Sequence, residues 1–198
     1  RYQGGRGTFD GRGGMGDFEE GMKYWRDAGH VARRTLEAMK DELQPGKTWH
    51  EIIEAAERFI HRHGGKPAFP GTIAVNNIAA HFTTEHTVTP PEGWEGDMVL
   101  QKGDLVKIDY GVHIKGHIGD NALTYEVGNT NNHTEQIKAA REARDAAVEM
   151  MHPGTPWYKV GEAAAQPSLD AGFQPIRNLC GHQLKPWVLH AGVSVPSY

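Results

Sequence analysis

The apolar residues of the first third of the chain follow a helical period. From Phe18 they recur at spacings of three and four until Pro45–Gly46, which predicts one amphipathic helix. A second helical pattern starts after Thr48 and ends at Gly64–Gly65. Thr48 and Glu51 have the three-residue spacing of a capping box, which favours a helix beginning at this point.

The pattern then changes to short extended segments. The sequence TIAVNNIAAHF predicts a strand followed by an irregular segment, and Asp97–Leu100 predicts a further short strand. Two longer runs, Leu105–His113 and His117–Val127, are rich in β-branched and aromatic residues. Lys115–Gly116 lies between them and is typical of a two-residue hairpin turn, with glycine where φ is positive.

Two more helices are predicted after this hairpin. The first extends from about Thr134 to Met151. The second begins with Thr155 as the N-cap and Pro156 at the first helical position, and we expect it to end or kink at Pro167. The remaining residues are extended in character. Helices and strands therefore follow each other in groups, which indicates the α+β class rather than alternating β-α-β units.

Composition restricts the class of protein further. The 198 residues suit one domain, and the net charge of −4 argues against binding nucleic acid or membranes through bulk charge. The single cysteine excludes an internal disulfide framework, and no apolar run has the length of a membrane helix. Residues 1–17 are rich in glycine and charge, so we expect a flexible tail before a domain of residues 18–198. Nucleic-acid contact by the arginines of this tail is the less favoured alternative.

Two aspartates in the predicted hairpin are the main candidates for chemistry. If Lys115–Gly116 is the turn, Asp120 lies opposite Gly111, and Asp109 shares that face. The two carboxylates are then about 7–8 Å apart on a diagonal. Two anions this close need cations between them or a shared proton, and divalent metal ions are the usual solution. A solvated sheet face carrying two aspartates is the alternative interpretation.

Three of the 12 histidines also stand out. His81 lies among small residues in NNIAAHF, and His182 follows a glycine in NLCGHQL. His190 comes eight residues after His182, so the two share a face if they belong to one uninterrupted strand. Imidazole binds borderline metals and donates to a developing negative charge. A surface position is the ordinary alternative for each, and Cys180 with His182 also allows a thiol-hydrolase interpretation, although no orienting Asn or Asp is evident.

Three segments together resemble the methionine aminopeptidase family, in its type II (archaeal and eukaryotic-like) branch. They are AFPGTIAVNNIAAHF, GDLVKIDYGVHIKGHIGDNALTYEV and NLCGHQLKPWVLHAGVSVP. The resemblance extends over about residues 18–196. It implies the α+β pita-bread metallopeptidase fold and hydrolytic removal of the initiator methionine from nascent proteins.

The resemblance implies a site for two divalent ions. Asp109 would bind one ion, Asp120 would bridge both, and His182 would bind the second. The residues leave the metal open among cobalt, manganese, iron and zinc. The family also uses two glutamates downstream of the HAG segment, and this sequence stops before either. We therefore interpret it as an N-terminal part of the enzyme, with the C-terminal part of the fold missing, and expect the isolated chain to be inactive.

The resemblance also implies how a substrate would bind. His81 would contact the scissile amide, and His190 would help to stabilise the tetrahedral intermediate. Phe69 and Leu189 would form part of the pocket for the methionine side chain, and their apolar character suits a thioether. The substrates would be the N-termini of nascent polypeptides. We expect a cytoplasmic monomer that acts close to the ribosome, with no membrane or nucleic-acid partner.

Two other functions remain open at this stage. One is a non-catalytic pita-bread protein that binds nucleic acid or protein. Retention of all three metal ligands that this span can contain favours the enzyme instead. The other is an Xaa-Pro-directed peptidase of the same fold. The short stretch before the first motif argues against it, because such enzymes usually carry a large N-terminal domain.

Overall fold

The computed structural model describes residues 15–84 and 98–198, which form four helices and six strands. In chain order these are α1 (Met15–Glu42), α2 (Trp49–Arg62), β1 (Lys66–Pro67), β2 (Thr72–Val75), β3 (Leu105–Ile114), β4 (His117–Glu126), α3 (Thr134–Met150), α4 (Trp157–Asp170), β5 (Gly181–His182) and β6 (Ser194–Val195). The predicted α+β class is confirmed. No helix within these residues has an apolar stretch that could span a membrane.

The two N-terminal helices form at the predicted places. α1 begins at Met15, earlier than the predicted Phe18, so its first turn lies within the segment expected to be a tail. Residues 1–14 lie outside the described part of the chain. α2 has the predicted capping box: the Glu51 amide donates to the Thr48 hydroxyl at 3.1 Å, and the Thr48 amide donates to the Glu51 carboxylate at 2.7 Å.

The long strand β3 is the centre of a four-stranded antiparallel sheet. β1 and β2 pair with one edge of β3, and β4 pairs with the other edge. The turn between β3 and β4 is Lys115–Gly116, whose φ angles are +48° and +83°. Positive φ at both central residues characterises the turn that matches the twist of a hairpin. The pairing of Gly111 with Asp120 follows from this turn and confirms the predicted register.

Alternation along β3 separates a helix-facing side from a second face. Val106, Ile108, Tyr110 and Val112 are buried in one cluster with residues of α1 and α2. The intervening residues, which include Asp109, lie on the opposite face of the strand. On the helix side, a Cβ at Gly119 would lie 2.7–2.8 Å from backbone atoms of α1. Glycine at this position therefore allows the helix to pack directly on the hairpin.

The prediction of a short strand at Asp97–Leu100 is wrong. Asp97 lies outside the described residues, and Met98–Leu100 does not join the sheet. Its backbone pairs instead with the connection between α1 and α2, through hydrogen bonds such as Trp49 N to Met98 O and Leu100 N to Lys47 O, both 2.8 Å. This connection supplies donors and acceptors that a sheet edge would otherwise have supplied.

The fourth helix also differs from its prediction. Pro156 occupies the N-cap position with ψ of 139°, which is extended, so α4 begins one residue later and no side chain caps it. Thr155 is therefore not the N-cap. The helix continues past Pro167 to Asp170. Because Pro167 lies in the last turn of α4, its missing N–H removes only one late hydrogen bond and does not end the helix.

Candidate metal centre and substrate cavity

A cavity of about 1030 Å³ lies between the second face of the sheet and the segment of residues 178–194. All seven residues that the sequence singles out as site residues line it. They are Phe69, His81, Asp109, Asp120, His182, Leu189 and His190. The structure therefore brings together side chains from four separate parts of the chain.

The two aspartates meet on this face because of the hairpin register. Asp109 lies on β3, one diagonal step from Asp120 on β4. Burial, and then the charge of Asp120 together with a hydrogen bond between the two side chains, raises the pKa of Asp109 to about 7, while His182 acts in the opposite direction. The Oδ1 atom of Asp109 is buried and has no hydrogen-bond partner among the described residues. A shared proton or a cation would relieve the repulsion between these two carboxylates.

His182 completes a contact chain with the two carboxylates. Its Nε2 lies 3.1 Å from Oδ2 of Asp120, and each of these side chains is 22% exposed. The ring of His190 lies edge-on to that of His182, with 4.5 Å between the ring centroids. Nδ1 of His182 is buried without a hydrogen-bond partner in the described part of the chain. Asp120 thus lies between Asp109 and His182.

The donor set fits a divalent cation in its chemistry. Carboxylates and imidazole are the ligands that first-row transition metals accept, and the unpartnered Oδ1 of Asp109 is available for one. Within residues 15–84 and 98–198, however, no three acidic, histidine or cysteine side chains are already arranged as a group that could hold a metal ion. Asp120 and His182 contact each other directly instead. An ion bound by both residues would take the place of this direct contact.

His81 is held at the cavity by a network that the sequence did not predict. Its φ is +61°, and it lies in the segment that returns along β2, where Ile73 N donates to Phe82 O at 2.8 Å. At the other end of this segment, Asn76 uses all four of its hydrogen-bonding groups. They contact Asp104, Leu105 and Lys107 at 2.7–2.9 Å. The segment is therefore fixed at both ends.

Lys107 is the unusual member of this network. It lies two residues before Asp109, on the same face of β3, and its ammonium donates to the carbonyl oxygens of Asn76 and Leu105. Burial lowers its pKa to about 8. Its position two residues before a candidate ligand was the only sequence signal for its role, and strand alternation alone does not show that its ammonium reaches Asn76.

The apolar residues of the site are placed by close packing. The ring of Phe69 lies over Gly111, where a Cβ would overlap it. Gly111 is the residue opposite Asp120, so Phe69 lies next to the carboxylate pair. Leu189 is half-buried on the other side of the cavity. The two residues predicted to bind a methionine side chain therefore contribute apolar surface to the cavity that contains the aspartates.

His182 and His190 lie close together, but not because they share a strand. The expectation of one uninterrupted strand is therefore wrong. β5 contains only Gly181–His182, and a turn closed by Lys185 and Val188 separates it from His190. The alternative thiol chemistry gains no support either. Cys180 is exposed at the cavity, and no hydrogen bond joins it to His182 within the described residues.

Comparison with known proteins decides the family. The sequence profile of metallopeptidase family M24 matches residues 23–197. The chain belongs to this family. Methionine aminopeptidases are prominent among its curated M24 relatives: the protein of Thermococcus onnurineus is 39% identical over 170 residues, and that of Methanothermus fervidus is 36% identical over 191 residues. The alignments cover 86% and 89% of this chain and 54% and 95% of the respective relatives.

Solved structures confirm the fold. The methionine aminopeptidase of Rickettsia prowazekii matches with a TM-score of 0.78 at 25% identity, over 91% of this chain and 71% of that chain. The prolidase of Pyrococcus furiosus matches with a TM-score of 0.74, also at 25% identity, over 91% of this chain and 51% of that chain. The pita-bread fold is thus common to both kinds of M24 peptidase. The chain spans about half the length of the first-named Thermococcus relative.

Proposed function

We propose that the protein removes the N-terminal methionine from polypeptides by metal-dependent hydrolysis. The observation that carries this proposal is the convergence of the seven candidate residues on one cavity, with Asp109, Asp120 and His182 in a contact chain. The relatives named methionine aminopeptidase, at 30–40% identity, support the same activity. Because this chain spans only about half of several of these relatives, the activity is proposed for the complete gene product.

In this proposal Asp109, Asp120 and His182 hold two divalent ions. Bound ions of this kind polarise a carbonyl and lower the pKa of a water molecule. Asp120 contacts both other residues, which suits it to share two ions. His182 would offer Nε2, the nitrogen that now faces Asp120. The donor set does not distinguish cobalt, manganese, iron and zinc.

The remaining residues of the cavity would bind and orient the peptide. His81 and His190 are exposed imidazoles, so each has a ring N–H available for an oxyanion. We assign His81 to the scissile amide and His190 to the tetrahedral intermediate. Phe69 and Leu189 would contact the methionine side chain, because an unbranched thioether fits an apolar wall without strain.

Methionine release from Met-Ala-Ser tests this proposal. The complete gene product, supplied with each of the four metals in turn, should release methionine, and Asp120→Asn should reduce the rate by a hundredfold or more, roughly the upper effect of disturbing a metal site. Asp145→Asn is the matched control, because Asp145 is an exposed aspartate on α3. Absence of release with all four metals, or an active Asp120→Asn variant, would contradict the proposal.

A proline-directed peptidase is the second candidate, because a prolidase shares the fold with a TM-score of 0.74. The curated relatives at 30–40% identity favour methionine removal instead. Parallel assays with Met-Ala-Ser and an Xaa-Pro dipeptide separate the two. Faster hydrolysis of the Xaa-Pro substrate would assign the protein to the proline-directed group.

The cellular setting belongs to the same proposal. The substrates would be nascent polypeptides, and the protein would act as a cytoplasmic monomer close to the ribosome. A non-catalytic binding protein is distinguished in cells by the Asp109→Ala, Asp120→Ala double variant. If initiator methionine is still removed in a strain that depends on this variant, the protein is a binder rather than the peptidase.

A further inference from the structure

The two sides of the cavity belong to separate sheets. β5 and β6 pair with each other and not with the sheet that carries Asp109 and Asp120. Leu189 and His190 lie between these two short strands, in a segment without regular secondary structure. Their position over the aspartates therefore needs an anchor other than strand pairing.

Trp187 makes such a contact with the tip of the β3–β4 hairpin. Its backbone N–H donates to the carbonyl oxygen of Gly116 at 2.9 Å. Its indole lies over Gly116, so closely that a Cβ at Gly116 would overlap the ring. The ring of His113 lies beside the indole, with 5.0 Å between the centroids. Main chain and side chain of Trp187 thus both hold the hairpin tip.

The backbone of Trp187 is unusual for a bulky residue. Pro186 and Trp187 are the central residues of a turn closed by hydrogen bonds between Lys185 and Val188, at 3.0 and 2.9 Å. The φ of Trp187 is +63°. A positive φ at the second central position of such a turn normally requires glycine or asparagine. Trp187 is also 71% exposed as a residue, so burial does not explain why tryptophan is found here.

We propose that Trp187 is a positioning residue that sets Leu189 and His190 over the aspartate pair. The residues of the anchored turn run directly into Leu189, and the anchor point, Gly116, lies on the hairpin that carries Asp120. The contact thereby fixes the distance between the two sides of the cavity. The inference rests on the proposed function for the roles of Leu189 and His190, but the contact itself does not.

Three substitutions separate the ring from the turn. Trp187→Ala removes the ring, Trp187→Gly removes the ring while favouring the positive φ, and Trp187→Phe keeps an aromatic ring. Tyr158→Ala is the control, because Tyr158 is an exposed aromatic residue on α4. Each variant is made in the complete gene product. Since Trp187 is largely exposed, thermal unfolding should confirm that all of them fold.

Hydrogen–deuterium exchange of residues 185–192 and kinetics with Met-Ala-Ser provide the readouts. Trp187→Ala and Trp187→Gly should each raise exchange about tenfold and lower kcat/KM about tenfold, because a small displacement of aligned groups is costly. Trp187→Phe should restore both within about twofold. The affinity for Mn²⁺ should change less than about threefold, because direct contact with Asp120 still locates His182.

Three results would overturn the inference. One is wild-type exchange and kinetics in Trp187→Ala. Another is full function in Trp187→Gly, which would mean that the turn conformation suffices without the ring. The third is loss of Mn²⁺ affinity in step with activity, which would place the effect at the metal ligands. If the wild-type protein releases no methionine, the proposed function fails, and exchange alone decides the role of Trp187.

Discussion

The sheet side of the cavity and its C-terminal side are held in place by different interactions. Asp109 and Asp120 lie on strands of ten residues each, paired without interruption by backbone hydrogen bonds. Leu189 and His190 lie in irregular chain between two strands of two residues each. Local turn chemistry thus determines the geometry of the acids, whereas tertiary contacts determine that of the opposite wall. We therefore expect substitutions on the sheet side and on the C-terminal side of the cavity to change different properties of the protein.

The largest effect, a loss of metal affinity, is expected from substitution of the aspartates themselves. Asp109→Asn should reduce Mn²⁺ affinity by a hundredfold or more, because a ligand carboxylate is lost. The metal-free variant should at the same time be more stable than the wild type at pH 8, because burial of an ionised Asp109 is unfavourable. Calorimetric titration and thermal unfolding measure the two properties. A variant that loses stability together with affinity would contradict this separation.

The pH dependence of metal binding should be the next largest effect. The pKa of Asp109 is raised to about 7 in the folded chain, above its ordinary value of 3.8. Below about pH 7 a metal ion must displace this proton, so affinity for Mn²⁺ should fall by up to about tenfold per pH unit as the pH is lowered. Titrations at pH 6 and pH 8 measure this, and equal affinities at the two values would refute it.

The same shift affects the metal-free protein. The folded state carries the raised pKa, so the unfolded chain releases its proton first as the pH rises. The contribution of Asp109 to stability is therefore greatest below about pH 4, declines between about pH 4 and 7, and is constant above pH 7. Urea unfolding of wild type and Asp109→Asn across this range isolates the contribution.

Packing of α1 on the hairpin should give an intermediate effect. Gly119→Ala should reduce the free energy of unfolding by about 1–3 kcal/mol, because the added Cβ meets rigid backbone of Gly29 and Ala28 at 2.7–2.8 Å. Gly29→Ala is the matched control from the same interface. A Cβ there meets nothing within 4 Å, so it should stabilise α1 by about 0.5–1 kcal/mol. Equal effects of the two substitutions would show that this close approach does not limit packing.

The smallest effect on overall stability is expected at Lys107. Lys107→Met removes the donor to the Asn76 carbonyl, so exchange of residues 76–82 should rise several-fold while the rest of the sheet stays protected. Lys138→Met, an exposed helix position, should leave that segment unchanged. Uniformly faster exchange over β3 and β4 would show that Lys107 supports the sheet rather than the segment that carries His81.

The hairpin and its register could be predicted from the sequence because the residues that determine them are local. A glycine at a two-residue turn and an alternation of period two fix the register, and the register fixes which side chains share a face. The second helix was likewise predictable from Thr48 and Glu51. The four-bond network of Asn76 was not, because its partners are about 30 residues away and each bond depends on the completed sheet.

The C-terminal side of the cavity shows most clearly what could not be predicted from the sequence. The even spacing of His182 and His190 suggested a common strand, and the two rings do lie together. Their contact arises from a turn with an exposed tryptophan at positive φ, which no local preference favours. The sequence pattern singled out both histidines and the family resemblance supplied their roles, whereas their spatial arrangement depends on contacts with a hairpin some 70 residues earlier in the chain.

The single cysteine of the sequence has a practical consequence. Cys180 is exposed and lines the same cavity as the candidate ligands, and there is no other thiol in the 198 residues. A maleimide-linked fluorophore or spin label would therefore attach at one defined place without any prior engineering. Its emission or line shape would report directly when a peptide enters the cavity or when an ion binds at the neighbouring imidazole of His182.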